Sequence, residues 1–412
     1  MTITMVTSSY PRFPGDSVGT FMEPIATGAA GRGHDVHLVA PWHPEWRRRD
    51  ADGVHFHLYR YAPVPSLNVF GYAGAMRADV HLRLSAVVAA PLALVSGWHR
   101  TRQVVRNTRT SIVHAHWVIP SGVIGAAAAG PRPLVISLHG SDVFVAERHT
   151  LARRAAQRAF RRAAWVTACS DDLRDRAIRM GAAPERSSVV PYGVDTDRFK
   201  PNPSARAEGR SMLGVSSDAP LVLAFGRLVE KKGFAHLIDA AAILKRDYPS
   251  LRVVIAGEGD LGATLRARAE AAGVADLVHL IGVVPQSVVP TLLAAADVAV
   301  APSIHDAAGN VDGLPNAVME IMASGTPLVT TRAGGIGAVA TDNLTARLVA
   351  ERDAGALAGA LADLLQHPSQ GAEIARRARE TVCREYSWAR MTDAFEAIYE
   401  RVGGNAGAHR RG

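Results

Sequence analysis

Two cations and two carboxylates in the C-terminal half are spaced to hold an anion bound to something rich in hydroxyls. Arg227 and Lys232 lie in Gly-Arg-Leu-Val-Glu-Lys-Lys-Gly (226–233), directly after the apolar run 221–225 and ahead of a helical pattern from Phe234. A glycine-bounded basic turn between strand and helix lets a guanidinium and a compact ammonium converge on a diphosphate. The lysines sharpen the point: the chain has 42 Arg and four Lys, and two of the four (Lys231 and Lys232) are here. Asp312 and Glu320 flank a second helix start, between Gly313 and Ser324.

The elements around those carboxylates can be read from their breakers. Residues 305–335 read as loop, helix, strand and loop. Gly309, Gly313 and Pro315 keep the first part irregular. Pro315 suits a first helical turn, where its missing N–H costs nothing, and Asp312 is an acidic N-cap candidate. Gly325 stops the helix, and Leu328-Val-Thr-Thr is a short buried strand. Free N–H groups over 313–317 would then face an anion or a ring of sugar hydroxyls. The alternative is an ordinary capped helix, with Asp312 as the cap and Glu320 solvated.

Length and composition set the frame. At 412 residues two or three domains are expected. Hydrophobic content of 48% with 20% charged residues fits a globular chain that buries large cores. The N-terminus enters a strand at once, with no basic head or cleavage site, so no signal peptide is expected. No apolar run approaches the ~18 residues of a spanning helix. Two cysteines, Cys169 and Cys383, make a disulfide framework unlikely and suit a reducing cytoplasm.

Charge is divided unevenly. Residues 1–195 hold 23 Arg, no Lys and 14 acidic groups, net +9, while residues 196–412 hold 23 basic and 24 acidic groups, net −1. The basic half suits an anionic partner, such as a membrane surface. Residues 77–106 form an expected long helix with the apolar run 84–95, flanked by Arg77, Arg83, Arg100, Arg102 and Arg106 and kinked at Pro91. A second helix from Leu151 puts Arg154, Arg158, Arg161 and Arg162 on one face. The pattern fits an interfacial helix on anionic lipid, or a core helix with a solvated basic face. Nucleic acid fits less well, because no aromatic stacking positions alternate with the arginines.

The remaining motifs follow the alternation of a doubly wound sheet. Strand one is followed by the loop 8–20, where Gly19 would let backbone approach a ligand or serve as a plain turn glycine. Two more strands carry His114 and His116, and then His139. No carboxylate or cysteine completes a metal set at ligand spacing, so no metal is expected. His139, at a strand's C-terminal edge, reads as a hydrogen-bonding or proton-handling group, or else as a satisfied core histidine. Residues 191–203, rich in Pro and Gly, read as the linker, and their Asp195-Thr-Asp197 is discounted as a metal site. Gly257-Glu-Gly-Asp-Leu-Gly262 matches a dinucleotide fingerprint literally. Glu258 and Asp260 would put negative charge in the phosphate cradle, and Asp276 precedes the next strand instead of ending it, which speaks against NAD.

In order, Arg-Gly-His-Asp-Val (32–36), His-Ala-His-Trp (114–117), Leu-His-Gly-Ser-Asp (138–142), Val-Pro-Tyr-Gly-Val-Asp-Thr-Asp-Arg-Phe (190–199), the 226–233 turn, Gly-Glu-Gly (257–259) and Asp-Gly-Leu-Pro-Asn-Ala-Val-Met-Glu (312–320) resemble family 4 glycosyltransferases over nearly the whole chain. The resemblance implies the GT-B fold: two Rossmann-like α/β domains facing across a cleft. They would be an acceptor domain over 1–195, joined by a returning helix at about 387–405, and a nucleotide-sugar domain over 196–386. It implies a retaining transferase that uses a UDP- or GDP-linked sugar and no metal or other cofactor. Arg227 and Lys232 would hold the diphosphate and Glu320 the ribose hydroxyls. Asp312 with the backbone of Gly313, Leu314, Pro315 and Asn316 would grip the sugar, and His139 and Gly19 would line the reaction centre. Asp312 departs from the family, which more often has Glu there. The basic N-terminal half suggests a lipid-linked or polysaccharide acceptor at the inner membrane face. A catalytically inactive sugar-nucleotide binder and an NAD-dependent oxidoreductase are the alternatives.

Overall fold

The computed structural model describes residues 1–16, 18–62, 68, 71–72, 76–77, 81–82, 84–307 and 309–408. They form two compact units, Met1–Tyr192 with Trp388–Gly412, and Gly193–Ser387.

The first unit begins β1 (Thr2–Val6), α1 (Met22–Gly31), β2 (Asp35–Pro41), β3 (Val54–Tyr59), β4 (Met76–Arg77), β5 (His81–Leu82), α2 (Leu84–Asn107) and β6 (Ile112–His116). It continues α3 (Val123–Ala128), β7 (Leu134–Leu138), α4 (Ser141–Arg148), α5 (Thr150–Arg162), β8 (Trp165–Ala168), α6 (Asp171–Arg179) and β9 (Ser187–Val189). Seven strands make one parallel sheet in the order β3-β2-β1-β6-β7-β8-β9. Its central strands β6 and β7 are buried at every position, as expected of a parallel sheet covered on both faces.

The second unit runs α7 (Arg206–Met212), β10 (Leu221–Phe225), α8 (Phe234–Leu244), β11 (Arg252–Ala256), α9 (Gly262–Ala271), β12 (Val278–Gly282), α10 (Val289–Ala295) and β13 (Val298–Ala301). Next come α11 (Asn316–Ser324), β14 (Leu328–Thr331), α12 (Ile336–Val339), β15 (Arg347–Val349), α13 (Ala354–Gln366) and α14 (Pro368–Glu385). Its six strands are parallel in the order β12-β11-β10-β13-β14-β15. In each sheet the strand order reverses beside the first strand, at β1/β6 and at β10/β13. Ligands of open α/β sheets bind at such switch points, outside the carboxyl ends of the strands. The chain ends in α15 (Trp388–Ala408), which lies in the first unit. There it packs on α1 and sends Met391, Phe395, Ile398, Tyr399 and Val402 into the core.

Two expectations need correction. The helix expected over 77–106 starts at Leu84, and Met76–Arg77 pairs with His81–Leu82 as a two-residue antiparallel ladder. Arg83 lies outside the described residues, as do Ser17 and Ala308 of the two loops singled out above. Gly193, Val194 and Asp195 belong to the second unit, because Val194 bridges Ser387 and donates its N–H to the Tyr386 carbonyl at 2.9 Å. Asp195 is a local turn former: its Oδ1 accepts the N–H groups of Asp197 (3.1 Å) and Arg198 (2.9 Å).

Candidate active site

In the second unit the site is built by two backbone segments clamped together. After β10 the chain passes Gly226 and tightens into a 3₁₀ turn over Glu230–Lys232. Gly233 follows at φ 69°, where a Cβ would lie 1.8 Å from the Pro302 carbonyl oxygen, so only glycine allows the approach. The Lys231 carbonyl accepts the Ile304 N–H at 2.9 Å, and Glu230 Oε1 accepts the Ala307 N–H at 3.1 Å. The basic turn is thereby locked to the loop that leaves β13. That loop is pinned again further on, since a Cβ on Gly334 would come within 2.0 Å of the Asp312 carbonyl oxygen.

The clamp brings two expected groups together, Lys232 and Asp312, and adds Lys231 to them. Lys232 Nζ is 2.6 Å from Asp312 Oδ2, and Lys231 Nζ is 3.0 Å from Asp312 Oδ1. All three side chains are 11–16% exposed. Burial alone would raise the Asp312 pKa, but the two ammonium groups outweigh it and hold the carboxyl well below its usual range. Asp312 therefore does not cap the helix. Pro315 takes the N-cap position, no side chain caps α11, and the helix starts at Asn316. The nearest lysines won over the nearest helix end, because an ion pair withdrawn from solvent outweighs one capping bond. The first-turn N–H groups of α11 are left without a side-chain acceptor. Gly313, Leu314 and Pro315 form the buried approach to it, with Asn316 partly exposed.

Glu320 is not the solvated residue of the alternative reading. It lies one turn beyond Asn316, and Gln286 Nε2 donates to its Oε1 at 2.7 Å. Burial pushes its pKa up to about 7, partly offset by the Gln286 hydrogen bond and by the charges of Arg198 and Lys232. Arg227 is exposed on the same turn as the lysines. The candidate cluster is thus Arg227, Lys232, Asp312, Glu320 and the start of α11. Lys231, Gln286 and Arg198 are its residues that sequence reasoning missed. The lysine pair was a visible signal for Lys231; Gln286 offered none.

The literal glycine fingerprint has a packing role. A Cβ on Gly257 would lie 1.9 Å from the Gly226 carbonyl oxygen, and one on Gly259 would lie 2.5 Å from that of Leu228. The two loops are stitched by Leu228 N–H to the Glu258 carbonyl (2.8 Å) and Leu261 N–H to the Leu228 carbonyl (3.0 Å). These glycines bring backbone onto backbone, and the turn they support is the one that carries Arg227 and the lysines.

In the first unit the expected residues sit at the matching sheet edge. Gly19, at φ 67°, closes on the Ser9–Tyr10 backbone, where a Cβ would meet Ser9 Oγ at 2.8 Å. His139 follows β7 and nests among Phe21, Trp117 and Tyr192, with ring centroids 4.6–5.7 Å away. Both of its ring nitrogens are engaged: Nδ1 meets Tyr192 Oη at 2.7 Å, and Nε2 meets His116 Nδ1 at 3.2 Å. Burial, with a smaller push from His114, lowers the His139 pKa to about 3. Burial thus favours the neutral ring, which meets a hydrogen-bond partner at each nitrogen.

The proton positions follow from one orphan. His116 Nε2 is buried without a partner, and a buried bare lone pair costs less than a buried bare N–H. Hence the His116 proton is on Nδ1 and donates to His139 Nε2. The His139 proton is then on Nδ1 and donates to Tyr192. Below them His114 joins Tyr399 Oη and Ser137 Oγ, both at 2.7 Å. Asp142 fixes the loop itself: its carboxylate accepts the N–H groups of Val118 (2.7 Å), His139 (3.3 Å) and Gly140 (3.0 Å). Among the described residues no group of three His, Cys, Asp or Glu side chains is arranged to hold a metal ion.

Comparison with known proteins places this geometry. The family model described as glycosyl transferases group 1 matches residues 206–381, and that of glycosyltransferase family 4 matches residues 18–198. The putative colanic acid biosynthesis glycosyltransferase WcaL of Escherichia coli is 33% identical over 294 residues, 69% of each chain. This chain belongs to glycosyltransferase family 4. The glycosyltransferase is also 34% identical, over 65% of its length and 71% of the relative, to a GDP-mannose-dependent alpha-(1-6)-phosphatidylinositol monomannoside mannosyltransferase of Mycolicibacterium smegmatis. Among solved structures it resembles Anabaena HepE in complex with UDP, with TM-score 0.75 and 20% identity over 97% of this chain and 100% of that one. WaaG, a glycosyltransferase involved in lipopolysaccharide biosynthesis, superposes with TM-score 0.69 at 19% identity over 96% and 99% of the two chains. Those likenesses establish the fold of the glycosyltransferase as GT-B.

Proposed function

We propose that this glycosyltransferase takes a sugar from a nucleoside-diphosphate donor, UDP- or GDP-linked, and passes it with retention to a lipid-linked or polysaccharide acceptor. The observation that carries the reading is the charged cluster at the start of α11, where Lys232, Asp312 and Glu320 come together beside Arg227. Each group has a part that suits its chemistry. Arg227, Lys232 and the uncapped N–H groups of α11 stabilise the charge that grows on the departing diphosphate. Those cations supply what a metal supplies elsewhere, so the reading is metal-independent. The ionised Glu320 accepts two ribose hydroxyls. Asp312, ionised beside Lys232, accepts a hydroxyl of the donor sugar. In the first unit, Gly19 and His139 are the residues we assign to the acceptor side of the reaction. Front-face attack by the acceptor retains configuration without a protein nucleophile.

Two relatives support the donor and acceptor classes: one is named as GDP-mannose-dependent and as acting on a phosphatidylinositol monomannoside, and one structure holds UDP. The surface of the first unit suits an acceptor held at an anionic membrane face. Val88 (72% exposed), Leu92 (58%) and Val95 (60%) line one side of α2, with Trp98 (38%) beyond them. Arg154, Arg158 and Arg161 are exposed on α5. No helix among the described residues is long and apolar enough to cross a membrane, so association would be peripheral.

The test is thermal shift of the wild type and of Arg227→Ala with UDP, GDP, ADP, NAD and their sugar conjugates. A shift with one nucleoside diphosphate that Arg227→Ala loses is the expected result and names the base. A shift with NAD alone would overturn the reading.

A further inference from the structure

The reading above gives Lys232 to the diphosphate, yet in the structure Lys232 is already committed to Asp312 at 2.6 Å. A buried carboxylate that loses its only counter-ion faces a large desolvation penalty, so donor binding would be opposed by the site itself. The second ammonium resolves this. Lys231 Nζ holds the other carboxylate oxygen at 3.0 Å, and the two lysines differ in how firmly they are placed. The Lys231 backbone is tied to the β13 loop through its carbonyl and Ile304 N–H (2.9 Å), next to the 1.8 Å limit that Gly233 sets against Pro302. The Lys232 side chain is the more exposed of the two (16% against 11%), and its Cδ and Cε pass beside Gly226, at the start of the turn that carries Arg227. The Asp312 backbone is fixed by its close approach to Gly334, where a Cβ would come within 2.0 Å of the Asp312 carbonyl oxygen.

We propose that Lys231 is a positioning residue that keeps Asp312 ionised and in place when Lys232 turns to the donor diphosphate. It touches neither diphosphate nor sugar. Of the pair, one ammonium neutralises the carboxylate and the other is surplus charge for the ligand. Of the other charged groups, Glu320 feels Lys232 and Arg198 and is held by Gln286, while Arg227 and Glu230 lie on the lysines' own turn.

The proposal rests on the nucleotide-sugar reading, and calorimetry separates the two. UDP, GDP and ADP are titrated into the wild type at pH 8, where Glu320 is largely ionised, in two buffers of different ionisation enthalpy. The nucleoside diphosphate that binds is then titrated into Lys231→Met, Asp312→Asn and the double variant. The wild type is expected to bind without net proton uptake. Lys231→Met is expected to bind about tenfold more weakly and to take up a fraction of a proton, as Asp312 neutralises when Lys232 leaves it. The double variant, which lacks the carboxylate that needs a partner, is expected to regain near wild-type affinity, which a merely structural lysine would not produce. Unchanged affinity and proton count in Lys231→Met, or no recovery in the double variant, would overturn the role of Lys231 alone. A wild type that binds none of the three nucleotides would overturn the functional reading and this proposal together.

Discussion

The two sheet edges of this glycosyltransferase are built from opposite electrostatic materials. At the edge of the first unit imidazoles and phenols are held neutral: His114 and His139 are pushed down to about 3 by burial, and Tyr399 is pushed up. At the edge of the second unit the groups keep their charge, with Asp312 ionised between two lysines. The difference follows from whether a counter-ion is present. Where burial acts alone the neutral form wins, and where two cations accompany a carboxylate the charged form wins. A neutral aromatic nest offers ring faces and hydroxyls, and a charge-dense turn suits an anion.

The comparison breaks first at Lys232. Replacing it by Ala should lower kcat/KM by about 10²–10³, near 3–4 kcal/mol of transition-state stabilisation, measured by nucleotide release under saturating acceptor. Next is the packing claim for the glycine fingerprint. Gly259→Ala must displace the Leu228 backbone 2.5 Å away, and should destabilise the second unit by about 1–3 kcal/mol in urea denaturation without creating NAD affinity.

pH separates the two edges further. His114 is fully buried and titrates at about 3 when folded, against about 6.5 unfolded. Its contribution is therefore present above about pH 6.5 and is lost as pH falls, because the unfolded chain takes the proton first. The slope is about 1.4 kcal/mol per pH unit for one such group, and urea melts between pH 7 and 5 should show it. Glu320 carries the opposite sign. Its folded pKa of about 7 lies above the ordinary value of 4.5, so its contribution to folding is present below about pH 4.5 and is lost as pH rises to and through 7, while nucleotide affinity, on the proposed reading, rises. That affinity should increase by about tenfold from pH 6 to 8, and Glu320→Gln should flatten the dependence. The smallest effect expected is at the surface: Leu92→Glu should weaken binding to anionic vesicles at low salt, roughly threefold, and leave transfer to a soluble acceptor unchanged.

Much of this was legible in order along the chain. Apolar runs ending in glycine turns marked the strands, and Gly-Arg-Leu-Val-Glu-Lys-Lys-Gly and Asp-Gly-Leu-Pro-Asn-Ala-Val-Met-Glu marked the charged edge. The errors share one physical origin. Local reasoning gave Asp312 to the helix a few residues on, whereas the fold gave it to lysines some eighty residues back. Gln286 reaches Glu320 from the loop after β12, and Tyr399 reaches His114 from the last helix. None of these pairs has a spacing that sequence can read, since parallel sheets join strands through long crossovers. His139 stands at a strand end as expected, but its hydrogen-bond partners, Tyr192 and His116, are ones sequence cannot bring to it.

The central claim is that the charged edge of the second unit holds a nucleoside diphosphate. Isothermal titration of UDP and of GDP into the wild type and Lys232→Ala, at low and high salt, tests it most directly. The account expects one nucleotide to bind the wild type, to weaken with salt, and to lose at least tenfold in affinity in Lys232→Ala. Binding of equal strength in both proteins, or of neither nucleotide to the wild type, would contradict it.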